Sequence, residues 1–276
     1  MSHRVSPVAI GGIGGSGTRV VAAILRTLGY YLGDDLNESL DNLWFTLFFR
    51  RRSVLLEDDR SLQSLVRLFM ARMSGKGSVS AEDRALVSSL PMRHNVHLRE
   101  ALLKRADTFL SAGTRERQDQ PWGWKEPNTH VVIDKLLDQC PTLCYLHVTR
   151  HPLDMAFSAN QDQLLLWGPL YLERDITLTP RASLSYWCAA HRRVLQLAAS
   201  WPDRIRLVSF DALCEAPQRH CLELAQSLGA RPGDDALAQI GKLVQAPPSS
   251  GRFARQDLTQ FDPADLAYVR QIGYGF

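Results

Sequence analysis

VAIGGIGGSGTR, residues 8–19, is the stretch whose reading decides the fold. The apolar run from Val5 to Ile10 predicts a short buried strand, ended by Gly11 and Gly12. Thr18 to Leu28 predicts a helix, closed by Gly29 at its C-cap. Strand, glycine-rich turn and helix form the opening unit of an α/β fold. Glycines at such a turn let backbone N–H groups approach an anion at the positive end of the helix dipole.

Two familiar nucleotide loops fit this segment poorly. A Walker A loop needs Gly-Lys-Ser/Thr after its second glycine; here Gly17 is followed by Thr18 and Arg19, so neither position is filled correctly. A Rossmann fingerprint is matched by Gly12, Gly14 and Gly17, with Asp34 or Asp35 near the place of the ribose-binding acid. That reading needs a second strand at Tyr30 to Leu32, where Gly29 and Gly33 crowd a three-residue run.

Outward from the loop, apolar residues recur at helical spacing around Leu62, Leu65, Val66 and Phe69, and again around Leu98, Leu102, Leu103 and Phe109. Ser74 to Ser80 is a Gly/Ser-rich loop between them. Residues 44–121 therefore read as a helical insertion over the ligand edge of the sheet, within a single domain spanning 1–276. The α/β pattern resumes with a strand at Trp122 to Lys125 and a helix at Val131 to Leu137, N-capped by Asn128 or Thr129. A strand follows at Leu143 to Thr149, then helix from Asp154 to Leu166. Leu184, Trp187, His191, Val194 and Leu195 mark a further helix, with His191 a core residue. A last strand, Ile205 to Phe210, precedes a helix from Gln218 to Leu228.

Composition bounds the function classes. With 276 residues, 45% hydrophobic and 22% charged, the chain has ordinary globular material for a core. A net charge of +3 does not point to nucleic acid. Five cysteines without a CxxC pair argue against a disulfide framework and a zinc site, so no metal is expected. The N-terminus lacks a signal-peptide apolar region, and no stretch reaches the ~20 apolar residues of a membrane span. These features predict a cytoplasmic protein.

Four motifs in order carry a resemblance. Ser16-Gly17-Thr18-Arg19 resembles the 5′-phosphosulfate loop of sulfotransferases that use 3′-phosphoadenosine 5′-phosphosulfate (PAPS), in its GTR form. Arg150-His-Pro-Leu-Asp-Met-Ala-Phe-Ser158 resembles the family's 3′-phosphate motif, an arginine at a strand end and a serine eight residues on. An Arg fork and a nearby hydroxyl are suited to a phosphate. Trp124-Lys125-Glu126-Pro127 resembles the family's WKDP segment beside the sulfuryl group, and Ser249-Ser250-Gly251-Arg252-Phe253 its GRW-like loop.

The resemblance implies a mostly parallel central sheet flanked by helices, in a nucleotide-kinase-like topology. It also implies PAPS as co-substrate, adenosine 3′,5′-bisphosphate as product, and a hydroxyl or amine acceptor of unidentified kind: carbohydrate, lipid headgroup, peptide or small metabolite. Gly15, Ser16, Gly17, Thr18 and Arg19 are implied to hold the 5′ end, Arg150 and Ser158 the 3′-phosphate, and Ser250 and Arg252 to contact the nucleotide. Lys125 is implied to stabilise charge in transfer. The sequence departs from the family at Gly15, where many members carry Lys or Arg.

The acceptor's general base is sought in Gly33 to Asn42, among Asp35, Glu38 and Asp41, with Glu38 and Asp41 spaced to share a helical face and His130 in reserve. Phe48-Phe49-Arg50-Arg51-Arg52 reads as a solvated cationic face. Two other classes stay open: an NAD(P)-dependent Rossmann oxidoreductase, and a PAPS-binding relative without transferase activity, which Gly15 would favour.

Overall fold

Alternation along the first strand sorts the core into two layers. The computed structural model describes residues 6–76, 78–95, 97–113 and 120–276. Val5, in the first predicted strand, and Gly77, in the predicted loop, lie outside the described residues. Strand β1 (Val8–Gly12) is fully buried. Val8 and Ile10 pack with Val21, Ile24 and Leu25 of helix α1 (Thr18–Thr27), whereas Ala9 joins the opposite layer. A helix-covered parallel sheet requires such two-sided burial.

Between α1 and the second strand lie α2 (Leu43–Phe49), α3 (Asp59–Met73), α4 (Ala81–Ser89) and α5 (Arg99–Ser111). Strand β2 (Gly123–Lys125), helix α6 (Thr129–Gln139) and strand β3 (Cys144–Thr149) follow. Next come α7 (Pro152–Ala156), α8 (Asp162–Leu172), α9 (Pro180–Ser200) and strand β4 (Ile205–Ser209). The chain continues with α10 (Phe210–Glu215), α11 (Pro217–Ser227), α12 (Asp234–Leu243) and α13 (Pro263–Gln271).

The strands run in the order β2-β1-β3-β4, and every pair is parallel. Ile10 pairs with Lys125, Gly12 with Val148 and Thr149 with Ser209. All four strands thus end at one edge, where ligands of open α/β sheets bind. Tyr30 to Leu32 forms no strand; Tyr31 makes a single bridge to Trp122, between Gly29 at φ 88° and Gly33 at φ 122°. The second strand a Rossmann half would need is absent among the described residues.

The inserted helices pack on β2 through aromatic rings. Six consecutive residues of α2, Trp44 to Phe49, are buried, as in a helix enclosed on every side. Trp124 stacks on Phe45 at 6.1 Å and meets Phe69 edge-on at 5.2 Å. The expected face of α5 is narrower than its spacing suggests: Leu102 and Phe109 are buried with Ala106, while Leu98 and Leu103 are exposed.

The solvated cationic face expected at Phe48 to Arg52 is corrected. Both phenylalanines are in the core, and Arg51 is buried against Glu57 at 2.8 Å. Arg52 donates to the carbonyls of Leu165 and Leu166 on α8, at 3.0 and 2.7 Å. The helix expected from Asp154 to Leu166 is broken into α7 and α8, and Ser158 lies in the connecting turn. Asn128 occupies the N-cap position of α6 without capping it; its amide donates to Glu126 and its carbonyl accepts from Trp167. Residues 36–42 form a turn closed by a Leu36–Asn42 bridge, with Leu40 at φ 62°, so Glu38 and Asp41 share no helical face.

Asn42 fastens this turn to the sheet. Its N–H donates to the Lys125 carbonyl, its side-chain oxygen caps α2 at the Phe45 N–H, and its amide donates to the Leu32 carbonyl, at 2.7, 2.9 and 2.9 Å. Asn42→Ala removes the cap and leaves a buried carbonyl unpaired, an expected loss of about 2–4 kcal/mol. Asn42→Asp, which keeps the cap alone, should fall between, as measured by urea unfolding.

Candidate functional site

At the strand edge, the glycine loop turns through conformations that bar side chains. Gly12, Gly15 and Gly17 have φ of 156°, 91° and 94°. A Cβ on Gly12 would lie 2.4 Å from the Val148 carbonyl, and one on Gly17 would lie 2.3 Å from the Phe210 ring. Gly17 is the N-cap of α1 and offers no side chain to its first turn. Ser16 N–H is closed on the Ile13 carbonyl at 3.0 Å, and Gly14 N–H on the Gln163 side chain at 2.9 Å. The N–H groups of Gly15, Gly17 and Thr18 have no partner among the described residues. The Ser16 hydroxyl is wholly buried and likewise unpartnered. Orphaned donors at a helix N-terminus suit an anion.

Arg150, leaving β3, reaches this loop. Its guanidinium is 3.4 Å from the Gly15 carbonyl, 2.9 Å from the Ser249 hydroxyl and 3.5 Å from that of Ser250. It is buried, and its Nε has no partner. Asp154, one helical turn on, lies 3.6 Å from the guanidinium. That carboxylate accepts from Gly251 N–H at 2.8 Å and Phe253 N–H at 3.3 Å, anchoring the 249–253 loop. Arg252 donates to the carbonyls of Ser249 and Phe157, so it braces the same loop. The Ser158 hydroxyl lies 4.0 Å from where a Cβ on Gly15 would stand. The glycine loop, the β3 exit and the 249–253 loop therefore meet around Arg150.

Across from Ile10 of β1, Lys125 at the end of β2 is buried and donates to the Asp41 carboxylate and, at 3.0 Å, to the Ser39 carbonyl. Asn37 holds the other Asp41 oxygen at 2.8 Å. Glu126 is enclosed, and burial pushes its carboxyl above its ordinary range against the opposing pull of Arg50, 4.0 Å away. Asn128 donates to it twice, at 2.6 and 2.8 Å.

The remaining predicted residues separate. Asp35 is held by Arg105 at 2.9 Å and Thr108 at 2.6 Å, anchoring α5. Glu38 and Arg19 are exposed, and Thr18 is buried at the start of α1. His130 is enclosed, with contacts to the Pro127 carbonyl and Tyr186 hydroxyl at 2.9 and 3.1 Å. Burial lowers it to about 4. His191 packs as a core residue, stacked on Trp187 and bonded to Tyr268 at 2.8 Å.

Sequence reasoning missed Asp154, Ser249 and Gln163. Asp154 was readable as the i+4 partner of Arg150. Gln163 reaches the loop across 149 residues and carries no local signal. A cavity of about 670 Å³ opens between the insertion and α8, lined by Arg50, Arg52, Asn95, His97, Asp162, Leu165 and Leu166. Burial, then the charge of Arg50, depresses His97 to about 4.

Among the described residues, no helix is long and apolar enough to cross a membrane. No curated protein matches the sequence. Among solved structures, the sulfotransferase domain of an olefin synthase from Synechococcus PCC 7002 is similar, with a TM-score of 0.53 and 15% identity over 100% of this chain and 98% of that one. The sulfotransferase domain of the curacin biosynthetic pathway matches with a TM-score of 0.51 and 12% identity, over 98% of each chain. At such identities these likenesses speak to the fold, a helix-flanked parallel sheet of the nucleotide-kinase-like type. The Sulfotransferase family profile matches residues 7–234, most of the chain from β1 into α12, and the chain belongs to that family.

Proposed function

We propose that this sulfotransferase takes its sulfuryl group from PAPS and passes it in line to a hydroxyl or amine. One observation carries the reading: the buried guanidinium of Arg150 touches the glycine loop and the Ser249–Ser250 loop at once, which supports two phosphate-type ends held side by side. A mononucleotide with phosphates at both its 5′ and 3′ positions matches that pairing, whereas ATP and NAD have no 3′-phosphate to offer it. In this reading, the free N–H groups of Gly15, Gly17 and Thr18 and the Ser16 hydroxyl hold the 5′ end, with Arg19 at the loop's exposed flank. Arg150 and Ser158 hold the 3′-phosphate, and Ser250 and Arg252 contact the nucleotide. PAPS supplies a sulfuryl group on a good leaving phosphate.

Because Gly15 carries no cation, Lys125 is the positive side chain on β2 assigned to the developing charge. Its pairing with Asp41 singles out that acid among the three proposed bases by position: a proton gained by Asp41 would loosen the ion pair and leave more of the lysine's charge for the departing phosphate. Asp35, tied to Arg105 and Thr108, serves the insertion instead, and exposed Glu38 has no comparable link. The cavity between the insertion and α8 is the proposed acceptor pocket.

Thermal-shift titration tests the donor site. Adenosine 3′,5′-bisphosphate should stabilise the protein well beyond ATP or NAD, and equal stabilisation by ATP would remove PAPS from the proposal. Arg150→Ala should weaken the bisphosphate by about 1.5–3 kcal/mol, the scale of a lost charged hydrogen bond, with Arg150→Lys intermediate because it keeps charge without the fork.

Radiolabelled sulfate transfer across an acceptor panel tests the chemistry. Lys125→Ala should lower turnover by about 10²–10³, as for loss of a transition-state donor, and leave bisphosphate affinity within a few-fold. A mutant that loses affinity and turnover equally would make Lys125 a binding residue.

A further inference from the structure

Gln163, in the first turn of α8, is 6% exposed and far from the glycine loop in sequence, yet it touches that loop at two points. Its side-chain oxygen accepts from Gly14 N–H at 2.9 Å, and its side-chain nitrogen donates to the Gly12 carbonyl at 3.2 Å. The two contacts span the bend where the chain leaves β1, with Gly12 at φ 156° against the Val148 carbonyl. A primary amide can accept from one backbone unit through its oxygen and donate to another through its nitrogen at once. The space beside it, bounded by Ile13, Gly14 and Tyr186, is about 10 Å³. That is at the lower limit for a single water, so solvent is a poor substitute for the amide.

Resting on the donor site proposed above, we infer that Gln163 is a positioning residue for the donor loop. It occupies Gly14 N–H and Gly12 carbonyl, fixing the bend so that the N–H groups of Gly15, Gly17 and Thr18 stay free for the 5′ anion. Gln163 itself does not touch the ligand. A loop fixed before binding saves the ordering cost that a mobile one incurs.

The test uses the full-length protein, with Gly14 amide exchange followed by NMR and adenosine 3′,5′-bisphosphate as the ligand. Gln163→Met keeps the side-chain length and removes both hydrogen bonds. Gly14 exchange should rise at least about tenfold while the β1 and β3 amides keep their protection, and bisphosphate affinity should fall roughly tenfold, the scale of one to two neutral hydrogen bonds. Gln163→Glu keeps the acceptor for Gly14 and sets a second acceptor against the Gly12 carbonyl. It should preserve Gly14 protection while weakening the bisphosphate.

Wild-type values for both readouts in Gln163→Met would overturn the inference. So would a loss of Gly14 protection in Gln163→Glu, since that variant keeps the acceptor; a loss of protection shared across the sheet in both variants would likewise overturn it, as the mark of a general packing role. Failure of the wild type to bind the bisphosphate would strike the donor assignment, and Gly14 exchange in the two variants would still judge the clamp.

Discussion

A buried guanidinium at the end of β3 is the constraint around which the site is built. Taking a cation out of water is costly unless its donors are matched, and removing its partners leaves the charge exposed to that cost. Arg150 meets one carbonyl, two serine hydroxyls and, at longer range, the Asp154 carboxylate, and its Nε remains unmatched. On the proposed reading, an anionic ligand completes the group. Asp154 meanwhile orients the 249–253 loop through backbone N–H groups, so one carboxylate sets the position of both the arginine and the loop.

The insertion is joined to the rest by charge as well as by packing. Arg52 is bonded to the carbonyls of Leu165 and Leu166, Arg50 lies between Glu126 and Asp162, and Gln163 of the same helix meets the glycine loop. Helix α8 thus forms a wall of the cavity on one side and a support of the donor loop on the other. On the proposed reading, a donor site and an acceptor site that must meet for in-line transfer gain from sharing a rigid element, because a small displacement of either reactant is costly in rate.

Much of the frame was legible because local rules and tertiary packing agree. The strand, glycine turn and first helix follow from an apolar run, positive-φ glycines and a periodic stripe, and each of those signals is contained within a few residues. The same holds for β3 and for α3, whose Leu62, Leu65, Val66 and Phe69 are all buried. The reading weakened where tertiary contacts override local preference. Arg51 reads as a surface cation yet is enclosed with Glu57, and α2 shows no stripe because it is apolar all round. The break at residues 157–161 has no glycine or proline to announce it. In the site, contiguous motifs were visible, whereas the Asp41–Lys125 and Gln163–Gly14 contacts join distant segments that no spacing rule relates.

Gly15 gains a physical account from its backbone. At φ 91° a side chain would be strained whatever the free space, so this loop geometry and a basic residue at that position work against each other. On the proposed reading, positive charge is therefore drawn from neighbours instead: Arg150 from the end of β3 and Lys125 from the end of β2, on the two strands that flank β1. Both cations are buried and held by partners, Lys125 by Asp41 and Ser39 and Arg150 by Gly15, Ser249 and Asp154, which narrows the positions each can take. Electrostatic stabilisation is most effective when the stabilising groups need not reorganise, so moving the cation from the loop to the sheet is compatible with catalysis.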